Sequence, residues 1–362
     1  MGAGKGAACA REAMKMANTD RRLVPALAAA AFLAAATTAA HADAVEDFYR
    51  GKTVTLLIGY EVGGGYDLYG RALGRFIGRH IPGNPQVIAS NMPGAASMTL
   101  ANHLAKVAPR DGTVFGAVNS ALLLDTLIAG DASKAQFKAS DMTMIGSISS
   151  NASVLLASAA AGVTNGADIR AKGIVVGTTA LSSDSYLSAL ALKKALRLDA
   201  MKLIAGYPGT RELTLALDRG EVGGRIWDME SMGSQKPEWR TSGAVNILYE
   251  LAPRHMPEIP AGVRLARDDA TDDLDRAALD IIFSNAMAFR PYLAPPGLAP
   301  AMRDALRRAF SDTMKDPEFL DHMKRISLGV TPMTGEALQT MITTLYGADR
   351  AVVERVRYLT TP

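Results

Sequence analysis

The sequence predicts an α/β fold of two lobes around a cleft, and three observations carry that prediction. Short β-branched runs alternate with amphipathic segments of helical length, the pattern of sheets covered by helices. The alternation occurs twice, over residues 53–118 and again within about 144–251. Several strands run into loops of Gly, Ser, Thr, Asn and Asp, and in open parallel sheets ligands bind beyond the carboxyl ends of the strands. A chain of 362 residues has room for two such units.

Residues 1–42 stand apart from this pattern. Arg21 and Arg22 precede the Ala/Leu-rich run Leu23–Ala36, and Ala40-His41-Ala42 supplies an A-x-A site. This predicts a secretory signal peptide cleaved near Ala42, with Met16 as an alternative start. The run is too short and too alanine-rich for a good membrane span. Cleavage removes five of the 39 basic and two of the 36 acidic residues, leaving 34 of each. The formal charge of +3 therefore belongs to the leader, and nothing in the charge balance points to nucleic acid. The sole cysteine, Cys9, leaves with the leader, so the mature chain has no disulfide, thiolate nucleophile or cysteine metal site.

Thr53–Gly59 reads as a strand. Gly63, Gly64 and Gly65 follow as a turn, and Asp67 can cap a helix whose apolar face is Leu68, Leu73, Phe76 and Ile77. Such a turn can aim backbone N–H groups at an anion, or it can serve only to reverse the chain. The segment His80–Pro85 is a turn and Gln86–Ser90 a strand, which completes a βαβ unit. The stretch Asn91–Ser97 is a second small-residue turn, Thr99–Val107 a helix, and Thr113–Val118 a strand ending at Asn119-Ser120. In the second half, Gly173–Gly177 is a strand, Thr178–Asp184 its loop and Ser185–Leu196 a helix. Lys202–Ala205 is a strand ending in Gly206–Thr210, Arg211–Arg219 a helix stopped by Gly220, and Glu221–Trp227 and Ala244–Tyr249 are strands. The last third is mostly helical. Asp280–Phe289 is a core segment, Tyr292–Pro300 a loop and Ala301–Met314 an amphipathic helix. Asp316-Pro317 signals a capped helix over Glu318–Ile326, and Thr334 caps a final helix of about twenty residues.

Reaction chemistry finds little support. The VGGGYD turn is not G-x-G-x-x-G, and no acidic residue closes the following strand where a ribose would bind. There is no P-loop lysine and no G-x-S-x-G elbow. His80, His103, His255 and His322 stand in no evident relation to a serine and an aspartate, and no pair has metal-ligand spacing. Asp268-Asp269 with Asp272-Asp273 reads as a solvated acidic turn. What remains is a set of turns able to hold a carboxylate by neutral hydrogen bonds, aided by helix N-termini and water.

Five segments, in this order, resemble the tripartite tricarboxylate transporter substrate-receptor family, the TctC/Bug-type periplasmic binding proteins. They are YRGKTVTLLIGYEVGGGYDLYGRALGR, VIASNMPGAASMTLANHLAKVAPRDGTVFGAV, VVGTTALSSDSYLSALALKKAL, GYPGTRELTLALDRGEVGG and YLAPPGLAPAMRDALRRAF. The likeness spans nearly all of residues 48–358. It implies a periplasmic-binding-protein type II-like fold, each lobe a sheet flanked by helices with the ligand cleft between. Lobe 1 would be residues 43–146 plus 252–362, and lobe 2 residues 147–251, with hinges near 144–150 and 245–256.

The resemblance further implies a receptor that captures a small organic carboxylate and delivers it to the large and small membrane subunits of a tripartite transporter. It implies no enzyme activity, cofactor, metal or nucleic-acid partner, and a monomer. In such receptors one loop from each lobe pinches the carboxylate. The first jaw would be Val62, Gly63, Gly64, Gly65, Tyr66 and Asp67, with Asn91, Gly94, Ala95, Ser97 and Ser120 beside it. The second would be Gly177, Thr178, Thr179, Ser182, Ser183, Asp184 and Tyr186, with Tyr207, Gly209 and Asp228. Ala96 stands where the family usually has Gly, and Gly223 where it usually has Asp. No arginine sits within a proposed loop, although Arg71 and Arg225 lie close by. An exported hydrolase or lyase using His103 or His255 is the alternative, as is a receptor that signals rather than transports.

Overall fold

Eleven strands form two separate mixed sheets among the described residues, in a computed structural model that describes residues 44–130, 133–179, 181, 183–207 and 209–361. The predicted leader, and with it the cleavage site near Ala42, lies outside them. So does Ser182.

The first sheet contains β1 (Thr53–Ile58), β2 (Gln86–Asn91), β3 (Val114–Ala117), β4 (Thr143–Ser147), β10 (Pro291–Ala294) and β11 (Met333–Thr334) in the order β11-β4-β10-β3-β1-β2. The second contains β5 (Ser153–Ser158), β6 (Ile174–Gly177), β7 (Met201–Ile204), β8 (Gly224–Asp228) and β9 (Val245–Leu251) in the order β7-β6-β8-β5-β9. β1 runs parallel to β2 and β3, and β6 parallel to β7 and β8. β10 is antiparallel to β3 and β4, and β5 antiparallel to β8 and β9.

The helices are α1 (44–49), α2 (Gly65–Ile77), α3 (Met98–Lys106), α4 (Leu122–Ala129), α5 (Gly166–Lys172), α6 (Asp184–Ala195) and α7 (Thr210–Asp218). They continue as α8 (Met229–Gln235), α9 (Asp273–Ile282), α10 (Pro300–Thr313), α11 (Pro317–Arg325), α12 (Gly335–Tyr346) and α13 (Arg350–Thr360). The first βαβ unit is β1-α2-β2, as the spacing predicts.

The inner strands of both sheets bury both faces and read as continuous apolar runs, whereas the edge strands β2 and β7 keep exposed positions. Leu56 joins a cluster with Leu73, Phe76, Tyr292 and Phe310, while its neighbour Leu57 points to the other face, toward Leu100, Leu104, Leu293 and Ile342. In the second sheet Leu155 and Ile226 pack on one face, and Val154 and Trp227 on the other. Val356 and Leu359 of α13, with Leu279 of α9, complete the first of these two cores. The C-terminal helices therefore return to the five-stranded sheet. Arg355 on α13 fixes that return with a two-pronged bond to buried Asp275 on α9, at 2.7 and 2.9 Å.

Several local expectations need correction. Asp67 is not the N-cap of α2. Gly64 holds that position and offers no side-chain cap, and Asp67 sits within the first turn. Leu68 is exposed, and the buried face of α2 is Tyr69, Ala72, Leu73, Phe76 and Ile77. The start of the Tyr292–Pro300 loop is strand β10, and the single final helix is two, interrupted at Gly347–Asp349. The acidic turn at 268–273 does more than meet solvent: Asp272 accepts from the N–H groups of Leu274 and Asp275 and so caps α9.

Candidate functional site

The first turn is built around one carboxylate. Asp67 is buried, and three donors converge on it: Gly63 N–H at 2.9 Å, Arg71 Nε at 2.9 Å and Asn91 Nδ2 at 2.8 Å. Burial works against its charged form, but these donors outweigh burial and hold its pKa below the ordinary aspartate value. Gly63 has φ +90°, a conformation that favours glycine, and no atom approaches the Cβ position there. The outer side of the turn is thus open, and Val62, Gly63, Gly64 and Gly65 are exposed. Tyr66 stacks on Tyr60 with ring centroids 4.5 Å apart, and its hydroxyl donates to Phe289 O at 2.9 Å. Ser120, itself buried, donates its N–H to the same hydroxyl at 3.4 Å.

The second turn is unusual in its backbone. Gly94, Ala95, Ala96 and Ser97 all have positive φ, at 138°, 46°, 51° and 74°. Left-handed alanines are strained by about 1–2 kcal/mol each, so Ala96 costs energy where glycine would not. Ser97 is buried and anchors the turn by donating to Gly59 O at 3.1 Å.

A cavity of about 230 Å3 opens in the second half of the molecule. The N-terminal turn of α6 supplies Asp184, Ser185 and Ser188, and that of α7 supplies Thr210 and Leu213. Two helix N-termini therefore face one space, which favours negative charge there. The end of β8 supplies Arg225, Ile226, Trp227 and Asp228. Asn151, Ser153 and Leu251 lie alongside, and Phe283, Ala286 and Phe289 close the wall toward the first sheet.

The charges in this cavity are unequally matched. Asp228 is engaged: it accepts from Asn151 Nδ2 at 2.9 Å and from Ser231 N–H at 2.8 Å, which caps α8. Asp184 is exposed at the mouth of the cavity, and the desolvation it does undergo raises its pKa with no cation offsetting it. Arg225 is 2% exposed. Its Nη1 donates to Thr214 Oγ1 at 2.7 Å and Thr210 O at 3.2 Å, and the guanidinium lies 4.0 Å from the Trp227 ring centroid. No described carboxylate forms an ion pair with it. Desolvation lowers its pKa to about 10, so it remains charged at neutral pH.

Of the residues expected in the site, Thr179, Asp184 and Asp228 line this cavity. Gly177 and Thr178 are buried scaffold. A Cβ on Gly177 would sit 2.4 Å from Leu213 Cδ1, and Thr178 N–H bonds to Ile204 O at 2.8 Å. Ser183 caps α6 by accepting from Tyr186 N–H, Gly209 is the N-cap of α7, and Tyr207 packs on the core around Trp227. The first-jaw residues, with Asn91, Gly94, Ala95, Ser97 and Ser120, do not line it. Their link to it is the Tyr66–Phe289 hydrogen bond.

Sequence reasoning did not assign Ser188, placed Arg225 only near a proposed loop, and included Ser185 and Thr210 only as members of the loops Gly177–Tyr186 and Tyr207–Thr210. The available signal was an arginine inside the otherwise apolar strand segment GRIW. His255 is largely exposed and pairs with buried Glu250 at 2.8 Å. Among the described residues no group of three or more His, Cys, Asp and Glu is arranged to hold a metal, and no helix is long and apolar enough to cross a membrane.

No protein-family profile matches the chain, and no curated protein matches it. Solved structures do. A TctC solute binding protein from Polaromonas superposes with a TM-score of 0.66 at 16% identity, over 86% of this chain and 99% of that one. A Rhodopseudomonas palustris protein, Rpa4515, solved with adipate, gives 0.56 at 17% identity, over 84% and 97%. MatC from the same organism, solved with bound malate, gives 0.54 at 17% identity, over 86% and 99%. These likenesses establish the fold: the two sheets and their helices are the two lobes of a periplasmic-binding-protein architecture.

Proposed function

We propose that the protein is an extracytoplasmic receptor that captures a small organic carboxylate between its lobes and delivers it to a tripartite tricarboxylate-type membrane transporter. The observation that carries this reading is the polar cavity at the strand ends of the second sheet, faced by the N-terminal turns of both α6 and α7. Such a site suits a negative ligand held by N–H and hydroxyl donors. The malate and adipate in two proteins of the same fold are consistent with this ligand class.

In this reading the glycine turn over Val62–Asp67 is the first jaw, and the loop after β6 with the α7 N-terminus is the second. Residues 43–146 with 252–362 and residues 147–251 move as the two lobes, hinged near 144–150 and 245–256, except that α9 and α13, which pack against the core of the five-stranded sheet, move with the second. The partners are the large and small transporter subunits, the receptor is a monomer, and the predicted leader directs it to the periplasm. It performs no chemistry and needs no cofactor.

A thermal-shift screen of the mature chain against malate, adipate, succinate and aromatic acids tests the proposal. A ligand at a hundred times its dissociation constant adds about 2.7 kcal/mol, a shift of a few degrees. Absence of any shift at millimolar concentration across the panel would overturn the reading.

A further inference from the structure

We infer that Arg225 is the specificity-determining residue of the cleft: it takes a carboxylate of the ligand directly, as an ion pair, where the turns offer only neutral donors. The inference rests on the carboxylate reading above and adds which residue reads the charge.

Three features of Arg225 carry it. The side chain is 2% exposed yet lines the cavity, so its charge is removed from bulk water without being removed from the ligand space. The protein engages two of the three guanidinium nitrogens, Nε donating to Ile226 O at 3.5 Å beside the bonds of Nη1. Nη1 holds Thr214 Oγ1 and Thr210 O, and among the described residues Nη2 has no hydrogen-bond partner. Finally, the nearby Asp228 acts on it only through space: it makes no ion-pair contact with Arg225 and is hydrogen-bonded instead to Asn151 and the α8 N-terminus. A buried cation without a contacting counter-ion is costly unless something supplies one. The Trp227 ring and the three oxygens supply part, and a ligand carboxylate can take the N–H groups of Nη2 that remain. Thr210 opens α7, so the same anion would also meet that helix N-terminus.

The test uses the mature full chain, with succinate and its mono-amide succinamate as probes alongside malate and adipate. Affinity is read by calorimetry and by fluorescence of Trp227 in a Trp239→Phe background. Arg225→Gln should weaken the best dicarboxylate by about 30-fold or more, the range for truncating one partner of a buried charge pair. Succinamate should lose less, and Arg225→Lys should recover part of the loss. Ligand binding should change the Trp227 emission of the arginine form.

Arg225→Gln that binds within threefold of the parent, or that loses acid and amide equally, overturns the inference while leaving the carboxylate reading in place. A parent chain that binds none of the four overturns both. If Arg225→Gln does not fold, the preference of the parent itself decides, and succinamate bound as tightly as succinate refutes the role.

Discussion

Asp316 accepts from the N–H groups of Glu318 and Phe319 at 2.9 and 3.4 Å, and His80 Nε2 lies 2.8 Å from its other oxygen. Arg79 Nε reaches that oxygen too, at 2.7 Å. Burial opposes the charge, but the His80 and Arg79 bonds and the backbone donors win and bring its pKa down to about 2. A depressed carboxylate stabilises the fold above its unfolded pKa, here 3.8, and that contribution is lost as pH falls through about 2. Asp316→Ala should therefore cost about 0.5–2 kcal/mol at neutral pH, as lost N-caps do. Its urea midpoint should depend less on pH between about 4 and 2 than the parent's. An equal acid limb in both proteins would refute the assignment. This cap was legible because the Asp-Pro signal is local. The role of Asp67 was only half legible: its acidic character at a helix start could be read, but its three donors include Asn91, which is 24 residues away. Arg225 was visible as an oddity within an apolar strand, yet only the fold shows that the strand ends at a cavity.

At the scale of elements, two glycines expected in the site turn out to have different reasons to be glycine. Nothing comes nearer to the Cβ position of Gly64 than Glu61 O at 3.9 Å, and its φ of −81° suits any residue. Gly177 ends β6 against α7, where a Cβ would overlap Leu213 and press Val222 at 3.1 Å. Gly64→Val should keep the parent melting temperature and lose carboxylate binding in calorimetry, because the branched side chain would block approach to the turn. Gly177→Ala should cost about 1–3 kcal/mol by overpacking, measured by urea denaturation. The reverse pattern would mean that the first turn is structural and the β6 end is the open one. Elements whose pattern is self-contained were read within a residue or two, among them β1, β2, α3, α6, α7 and α10. β4, β5 and β10 were missed for a common reason. Each is an antiparallel insertion with buried residues on both faces and no helix following it in βαβ rhythm, so no periodicity marks it. The break between α12 and α13 was missed because Gly347 lies inside an otherwise helical composition, and single glycines are often tolerated there.

At the scale of the whole molecule, an ion pair joins the segments beside the two sheets. Arg290 precedes β10 of the six-stranded sheet, and Glu230 lies in the first turn of α8, after β8 of the five-stranded sheet. Nη1 of Arg290 reaches Glu230 Oε2 at 3.0 Å and Ser149 Oγ at 3.0 Å, and Nη2 reaches Glu230 Oε1 at 3.3 Å. The guanidinium lies 4.1 Å from the Tyr69 ring centroid, and it comes within 3.2 Å of the position a Cβ would take on Gly65. It therefore sits behind the glycine turn while holding the opposite lobe. Sequence offers no route to this pair, because its members are 60 residues apart and belong to different sheets. Arg290 is 7% exposed, so removing its partner leaves a buried charge with a serine hydroxyl, the rings of Tyr66, Tyr69 and Phe289, and a buried Nε that has no partner. Glu230→Gln should cost about 1–3 kcal/mol. Because the pair spans the cleft, it should also favour separated lobes: small-angle scattering of the unliganded variant should give a larger radius of gyration than the parent. Arg290→Met with Glu230→Gln should recover part of the stability, since no buried charge is then left unpaired, but should keep the larger radius. A single variant that loses stability with no change in radius would mean that the pair packs one lobe and does not set the opening between the two.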